Sequence, residues 1–361
     1  MRDEHLHSRP SGWGLSIRAE ALVDCLPSGL FKQLSSIQVD PRQVPTADRV
    51  MIDHGTGFLN LEVGEPFAII PSSFRRRIDR GRLRELLPTG IDVNWGKTVS
   101  RFQQTASSVS VTFTDGDRVE GCMLVAADGG RSKVRQLLFG SIFRRPLFQG
   151  NHPDTGFYMF FSILSTPSVN GSDKSETPFM YYEVELNLSW LAEGPDDVVP
   201  TTNRDRLARM KYMATAGTGL HPAMRDIILG IPDDAEVYDV VLEDWPTMEW
   251  PDLDGRVTLL GDVAHHMVMY LGEGANQGII DATNLAQQLT LHYDGHKTLR
   301  QAVIDYEKEM ILRAREAVLL SRQACLDAHD LRNLTKNSPD KQKCQSRRQP
   351  WAQGTNRRRA D

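Results

Sequence analysis

The stretch Gly261-Asp-Val-Ala-His-His-Met-Val-Met-Tyr-Leu-Gly-Glu-Gly-Ala-Asn-Gln-Gly-Ile-Ile-Asp-Ala282 decides how this chain is read. Before it, Arg256-Val-Thr-Leu-Leu260 is a short apolar run that reads as a buried strand, and after it residues 279–289 have the apolar spacing of a helix. The loop between them is expected to hold Gly272, Gly274 and Gly278. A strand, a glycine loop and a helix start together make an anion site. Glycine lets the backbone approach a ligand closely, and the free N–H groups at a helix start favour negative charge. Asp262, at the expected strand end, can accept hydrogen bonds from ligand hydroxyl groups. The other reading of the same residues is a strand–loop–helix connection whose glycines serve packing alone. His265 and His266 point apart and have no Cys, His or Glu at ligand spacing, so no metal site is expected.

This stretch resembles the second flavin-binding motif of the class A flavin monooxygenases, the para-hydroxybenzoate hydroxylase-like family. That pattern runs Gly-Asp-Ala-Ala-His, then prolines, then Gly-x-Gly-x-Asn-x-Gly-Ile-x-Asp-Ala. The match covers Gly261, Asp262, Ala264, His265, Gly272, Gly274, Asn276, Gly278, Ile279, Asp281 and Ala282. The resemblance implies that Asp262 holds the ribityl chain of FAD. It also implies that the loop carrying Gly272, Gly274, Ala275 and Asn276 lies against the flavin ring. Where the family has prolines this chain has His266, Val268 and Met269, so the loop lacks the stiffness that a fixed φ would give it.

Two further blocks carry the same resemblance. Leu124-Val-Ala-Ala-Asp128-Gly129-Gly-Arg-Ser132-Lys-Val-Arg135 is similar to the family's Asp-Gly-x-x-Ser-x-x-Arg motif, with Ser132 suited to cap a helix. This implies that Asp128 and Gly129 sit on the pyrophosphate side of the cofactor. Residues 78–87 read as an amphipathic helix similar to the family's Arg-x-x-Leu helix, which makes Arg80 a cofactor contact. The alternative for Arg80 is a solvated arginine beside the basic run Arg75–Arg77.

At the chain start, Arg2-Asp3 and Arg9-Pro-Ser-Gly-Trp-Gly-Leu-Ser-Ile17 resemble the segment that follows the family's second strand, so Arg2 joins the cofactor candidates. No Gly-x-Gly-x-x-Gly fingerprint precedes them. Gly12-x-Gly14, Gly55-x-Gly57 and Gly217-x-Gly219 each lack the third glycine. The expectation is a chain that starts about thirty residues into the family pattern. Without the pyrophosphate loop and the ribose acid, FAD would be held weakly and the fold poorly stabilised.

Composition fits one large or two ordinary domains: 361 residues, 40% hydrophobic and 25% charged. No apolar run reaches the roughly 18 residues of a membrane helix, and no basic-then-apolar leader opens the sequence. Four cysteines without a C-x-x-C pair read as reduced cytosolic thiols. Residues 335–361 carry eight Lys/Arg and two Asp, a net +6, so the rest of the chain is −11 against a total of −5.

The expected architecture is α/β: a three-layer Rossmann-like FAD/NAD(P)-binding domain, N-terminally incomplete, with an inserted sheet-based substrate domain. Residues 1–47, 76–150 and 251–298 form the first, residues 48–75 and 151–250 the second, 299–334 a C-terminal helix and 335–361 a disordered basic tail. A helix is expected over 19–34, interrupted near Pro27-Ser-Gly29, and strands over 48–72 around the turn Gly55-Thr-Gly57. Residues 109–113 and 119–125 read as a hairpin around Asp115-Gly116. Residues 157–163 and 178–186 read as aromatic-rich strands flanking a Ser/Gly/Pro loop, and 204–216, 222–229 and 299–320 as helices. The aromatics either line a pocket for a planar or apolar substrate or form a sheet core. Tyr181 and Tyr182 would point to opposite faces.

By resemblance the chain is an FAD-dependent monooxygenase that uses NAD(P)H and O2 to hydroxylate or epoxidise a small organic substrate. A cytoplasmic location is expected, with no membrane or nucleic-acid partner; no catalytic side chain and no oligomeric state is legible. The redox chemistry belongs to the cofactor, and the protein's part is a helix start beside the ring. One rival is an inactive remnant or binding protein that no longer holds FAD. Another is a flavin dehydrogenase or halogenase, against which stands the absence of a Trp-x-Trp-x-Ile run.

Overall fold

The computed structural model describes residues 14–18, 22, 26–39, 57–59, 66–69, 75–129, 132–139, 146–147, 158–174, 181–190, 199–215, 219–240 and 242–330. The expectations for Arg2, Arg9, Gly55, Cys25, Cys344 and the 335–361 tail lie outside the described residues.

In chain order, β1 (Gly14–Arg18) and α1 (Ser28–Gln33) precede the antiparallel pair β2 (Gly57–Leu59) and β3 (Pro66–Ile69). Then come β4 (Arg75–Asp79), α2 (Arg80–Leu86) and the meander β5 (Val99–Gln104), β6 (Val109–Phe113) and β7 (Arg118–Gly121). β8 (Leu124–Ala126), α3 (Lys133–Phe139) and β9 (Pro146–Leu147) follow. The next elements are β10 (Tyr158–Ser165), α4 (Pro167–Asn170), β11 (Glu183–Ser189), α5 (Asn203–Thr215), α6 (Pro222–Leu229) and β12 (Leu242–Glu243). The last are β13 (Val257–Leu259), α7 (Asp262–His265), α8 (Gly274–Tyr293) and α9 (Leu299–Ala328).

β13 is buried at every residue and pairs in parallel with β8, Val257 opposite Leu124 and Leu259 opposite Ala126. A strand covered on both faces explains why all three residues are buried, the Thr258 hydroxyl being satisfied by Glu307 at 2.8 Å. One cover is α9, whose Ala302, Tyr306, Met310, Ala314 and Val318 are buried at helical spacing. Tyr306 donates to the Leu259 carbonyl at 2.8 Å, so the helix is fixed in register against the strand. α9 runs to Ala328, past the expected end at Leu320, because Ser321, Ala324, Cys325 and Ala328 also find buried positions.

A second core unites β1, β4, α1, α2 and α8. Ile17, Leu34, Ile78, Leu83 and Leu86 are buried together, with Ile279 of α8 packed against them. α2 starts at Arg80 rather than Ile78. Ile78 is a strand residue opposite Leu15, and Asp79 caps the helix by accepting from the Arg82 N–H at 2.9 Å. α1 begins just after Pro27, where an interruption was expected.

The expected strand over 119–125 is two strands. Its first part completes the β6–β7 hairpin, and its second leaves to pair with β13. The expected loop between 165 and 178 contains α4, which ends on Gly171. β10 and β11 pair antiparallel, and α5 and α6 cover them through Ala214, Leu220 and Ile228 packed against Met159, Leu186 and Leu188. Tyr181 and Tyr182 precede β11 and are exposed, so neither occupies a sheet face.

The largest correction concerns the glycine loop. α8 begins at Gly274, so Gly274, Ala275, Asn276 and Gly278 are helical. Gly278 lies in the helix because α8 crosses the β13–α7 turn there. A methyl group on Gly278 would lie 3.6 Å from the Gly261 Cα, and Gly261 itself turns with φ +68°.

Candidate cofactor site

The Gly261 turn converts β13 directly into α7, which makes Asp262 a first-turn helical residue with its side chain half exposed. A methyl group on Gly274 would lie 3.8 Å from Asp262 Oδ1, so the carboxylate stands against the start of α8. Glu273, the N-cap residue of α8, makes no side-chain cap. The first-turn N–H groups are thus left for another partner, and a helix start carries a partial positive charge. Glu273 instead pairs with Arg18 at the end of β1, 2.8 Å apart. Arg18 Nε is buried with no hydrogen-bond partner among the described residues. Gly272, left-handed at φ +57°, and Ala275 are exposed on the same edge.

Asn276 is completely buried and its amide is committed to backbone. Oδ1 accepts from the Arg18 N–H at 2.9 Å, and Nδ2 donates to the carbonyls of Ser16 at 3.1 Å and Gly272 at 3.0 Å. Both Nδ2 hydrogens are therefore engaged in locking the start of α8 to β1.

Asp128 and Ser132 form a double cap on α3. Asp128 accepts from Ser132 Oγ at 2.5 Å and from the Lys133 N–H at 2.8 Å, while Ser132 Oγ accepts from the Arg135 N–H at 3.0 Å. Gly129 is left-handed at φ +85°, with open space where a side chain would stand. Arg135, buried, donates to the carbonyls of Asp262 and Val263 and stacks 5.0 Å from the Trp245 ring centre. The Asp128 and Asp262 blocks are thereby joined. Arg80 opens α2, and α2 reaches α8 through the cluster of Leu83, Leu86 and Ile279.

Beneath this face lies a buried ion network. His265 Nε2 is 2.6 Å from Asp281 Oδ2, which also accepts from the Gly261 N–H at 2.8 Å. Arg313 of α9 reaches Asp281 Oδ1 at 2.7 Å and also bonds Gln277. Burial pushes the Asp281 carboxyl up, but His265 and Arg313 outweigh it and hold the group below the usual carboxylate range. His265 is thus a structural partner, and no group of three His, Cys, Asp or Glu able to hold a metal occurs among the described residues.

α7 and the wall that leads from it to α8, where prolines were missing, are stiffened by hydrogen bonds from outside. The Thr247 hydroxyl donates to the Ala264 carbonyl (2.6 Å), the Trp245 N–H to that of His266 (2.7 Å) and the Ser321 hydroxyl to that of Val268 (2.6 Å). The sequence reading missed Arg18, Glu273 and Arg313. Only Arg135 left a local signal, three residues after the Ser132 cap.

Residues 249–321 match the model of a family described as FAD binding domain. The FAD-dependent monooxygenase dbaB of Emericella nidulans is 40% identical over 311 residues, 77% of this chain and 76% of its own length. The chain belongs to the FAD-dependent monooxygenases. A second relative in this family, the FAD-dependent monooxygenase phnB of Penicillium herquei, is 30% identical over 94% of the chain and 86% of its own length. Among solved structures, the 2,6-dihydroxypyridine-3-hydroxylase of Arthrobacter nicotinovorans superposes with a TM-score of 0.68 at 18% identity. That match covers 94% of this chain and 88% of the other, and places the fold among α/β FAD-binding folds.

The cofactor of this monooxygenase is FAD, NAD(P)H is the co-substrate typical of the family, and the enzyme acts with O2 on a small organic substrate. The residues present fit FAD. A half-exposed carboxylate can accept from hydroxyl groups, an uncapped helix start can donate to an electron-rich edge, and the buried Arg18 Nε adds an unused donor nearby. No described helix is long and apolar enough to cross a membrane.

Proposed function

We propose that Asp262 and the first turn of α8 hold the ribityl chain and ring edge of FAD, with Gly272, Gly274 and Ala275 forming the face against the ring and the buried Asn276 locking that turn to β1 from behind. Asp128, Gly129 and Arg80 serve the pyrophosphate side, and Arg2 belongs to the same set by its sequence position. The observation that carries this reading is the Asp262 carboxylate standing beside an α8 start that no side chain caps.

When bound, FAD supplies the redox chemistry by which NAD(P)H and O2 hydroxylate or epoxidise the substrate. The chain's own part is placement and charge. Asp262 orients hydroxyl groups, while the amide groups of α8 stabilise negative charge at the ring edge. The β10–β11 sheet, with its own core against α5 and α6, forms the roof of a substrate domain comprising residues 48–75 and 151–250. It encloses the substrate and excludes water. Residues 1–47, 76–150 and 251–298 make the FAD-binding domain. We place the enzyme in the cytosol, in keeping with the free thiols of Cys122 and Cys325.

The test is incubation of the enzyme with FAD, NADH or NADPH and a panel of small organic compounds under 18O2. One labelled oxygen atom in the product per reduced nicotinamide consumed is expected. Product formed without label overturns the monooxygenase reading of this site.

A further inference from the structure

Tyr270 sits in the wall between α7 and α8, four residues before Gly274 begins α8. Its hydroxyl meets two groups from distant parts of the chain, Ser189 Oγ at 3.0 Å and His329 Nε2 at 3.1 Å, and these two are themselves 3.1 Å apart. Ser189 ends β11 and His329 caps the far end of α9. The Tyr158 ring, on β10, lies 5.1 Å from the Tyr270 ring and 5.2 Å from that of His329, and the latter two are 5.2 Å apart. Roof sheet, cofactor-facing wall and last helix therefore converge on one aromatic cluster with a polar centre.

The protons in this centre can be assigned. His329 Nδ1 is 2.5 Å from the Cys325 carbonyl, which only accepts, so Nδ1 carries the hydrogen and Nε2 is an acceptor. Burial lowers the His329 pKa to about 4, which keeps the ring neutral near pH 7. Nε2 has one lone pair, and Ser189 and Tyr270 each bring one hydroxyl proton. One hydroxyl donates to Nε2 and the other donates to the first hydroxyl.

We infer that Tyr270, held by Ser189 and His329, is a positioning residue that sets the cofactor-facing wall, and with it the start of α8, against the substrate roof. The inference rests on the reading that the α8 start faces the flavin. Only residues 271–273 separate Tyr270 from Gly274, too short a link to absorb a shift of the ring. The Tyr270–Ser189–His329 centre thus ties the wall to the roof by side chains, beside a segment whose Val268 carbonyl is held by Ser321.

Tyr270→Phe keeps the rings and removes only the hydroxyl; Ser189→Ala removes its partner. Hydrogen exchange of the full chain, followed by mass spectrometry, is expected to speed up about fivefold at residues 268–275 in both variants, as for the loss of one hydrogen bond, and to stay unchanged at residues 302–318. FAD added to the same samples should bind with an altered visible circular dichroism spectrum in both variants. Unchanged exchange at 268–275, equal acceleration throughout the chain, or an unaltered FAD spectrum overturns the inference alone. Failure of the unsubstituted chain to take up FAD overturns the cofactor reading beneath it as well.

Discussion

Arg135 Nη1 lies 3.0 Å from the Val263 carbonyl oxygen, and 3.3 Å from that of Asp262. This one side chain, at the end of the Asp128 block, holds the short helix that carries Asp262. α7 is a single turn, too short to supply N–H donors to its own carbonyls, so a buried guanidinium donates to them instead. Arg135→Met should cost about 2–4 kcal/mol of folding stability and weaken FAD binding even though Arg135 need not touch the cofactor. Urea unfolding and FAD titration of the variant check this. A loss below about 0.5 kcal/mol would mean that α7 is held by packing alone.

Asp281 joins α7, α8 and α9 through His265, the Gly261 N–H and Arg313. Asp281→Asn keeps the size but removes the buried counter-charge of Arg313, leaving it the half-exposed Glu309 at 2.7 Å. Breaking a buried pair from one side costs about 3–5 kcal/mol. A large fall in thermal midpoint is expected. A midpoint within experimental error of the unsubstituted chain would show that the network contributes nothing net.

Two buried groups oppose each other in pH. Glu307 accepts from Thr258 Oγ1 at 2.8 Å and Trp250 Nε1 at 3.1 Å, yet burial raises its pKa to about 7. The folded state then holds its proton longer than the unfolded state, so the Glu307 contribution falls as pH rises from about 4.5 to 7. His329, lowered to about 4, is the reverse: the unfolded state binds the proton first, and stability falls as pH drops from about 6.5 to 4. Over pH 4.5–6.5 the two slopes cancel in large part. Glu307→Gln should unmask stability that rises with pH, and His329→Gln stability that falls with it. Unfolding midpoints measured across pH 4.5–7 decide the matter; parallel profiles for the two variants would contradict both assignments.

The frame of the fold was legible because it is local. The apolar run at 257–259 and the helix over 222–229 occur where patterning places them, and the cap at Ser132 follows from its own residue type. The start of α8 was misread because glycine at 274 and 278 signals a loop by propensity, whereas Gly278 is present to let a helix cross Gly261. Asn276 reads in sequence as a ligand contact, but the neighbouring strand claims its side chain. The stiffness of the wall was the least legible feature. Missing prolines are visible, but no local pattern joins Tyr270 to Ser189 and His329, which are themselves 140 residues apart. Such contacts exist only once the roof and α9 have come together.

Titration of the purified chain with FAD, followed by flavin fluorescence, tests the placement of the cofactor most directly when run beside Asp262→Ala. Asp262 is half exposed, so its removal should leave the fold intact. One saturable site per chain is expected. Losing charge-assisted hydrogen bonds of about 1.5–3 kcal/mol should weaken FAD binding roughly ten- to hundredfold in the variant. FAD binding of equal strength in both proteins, or no saturable binding in either, would contradict the assignment of Asp262 and the α8 start as the flavin site.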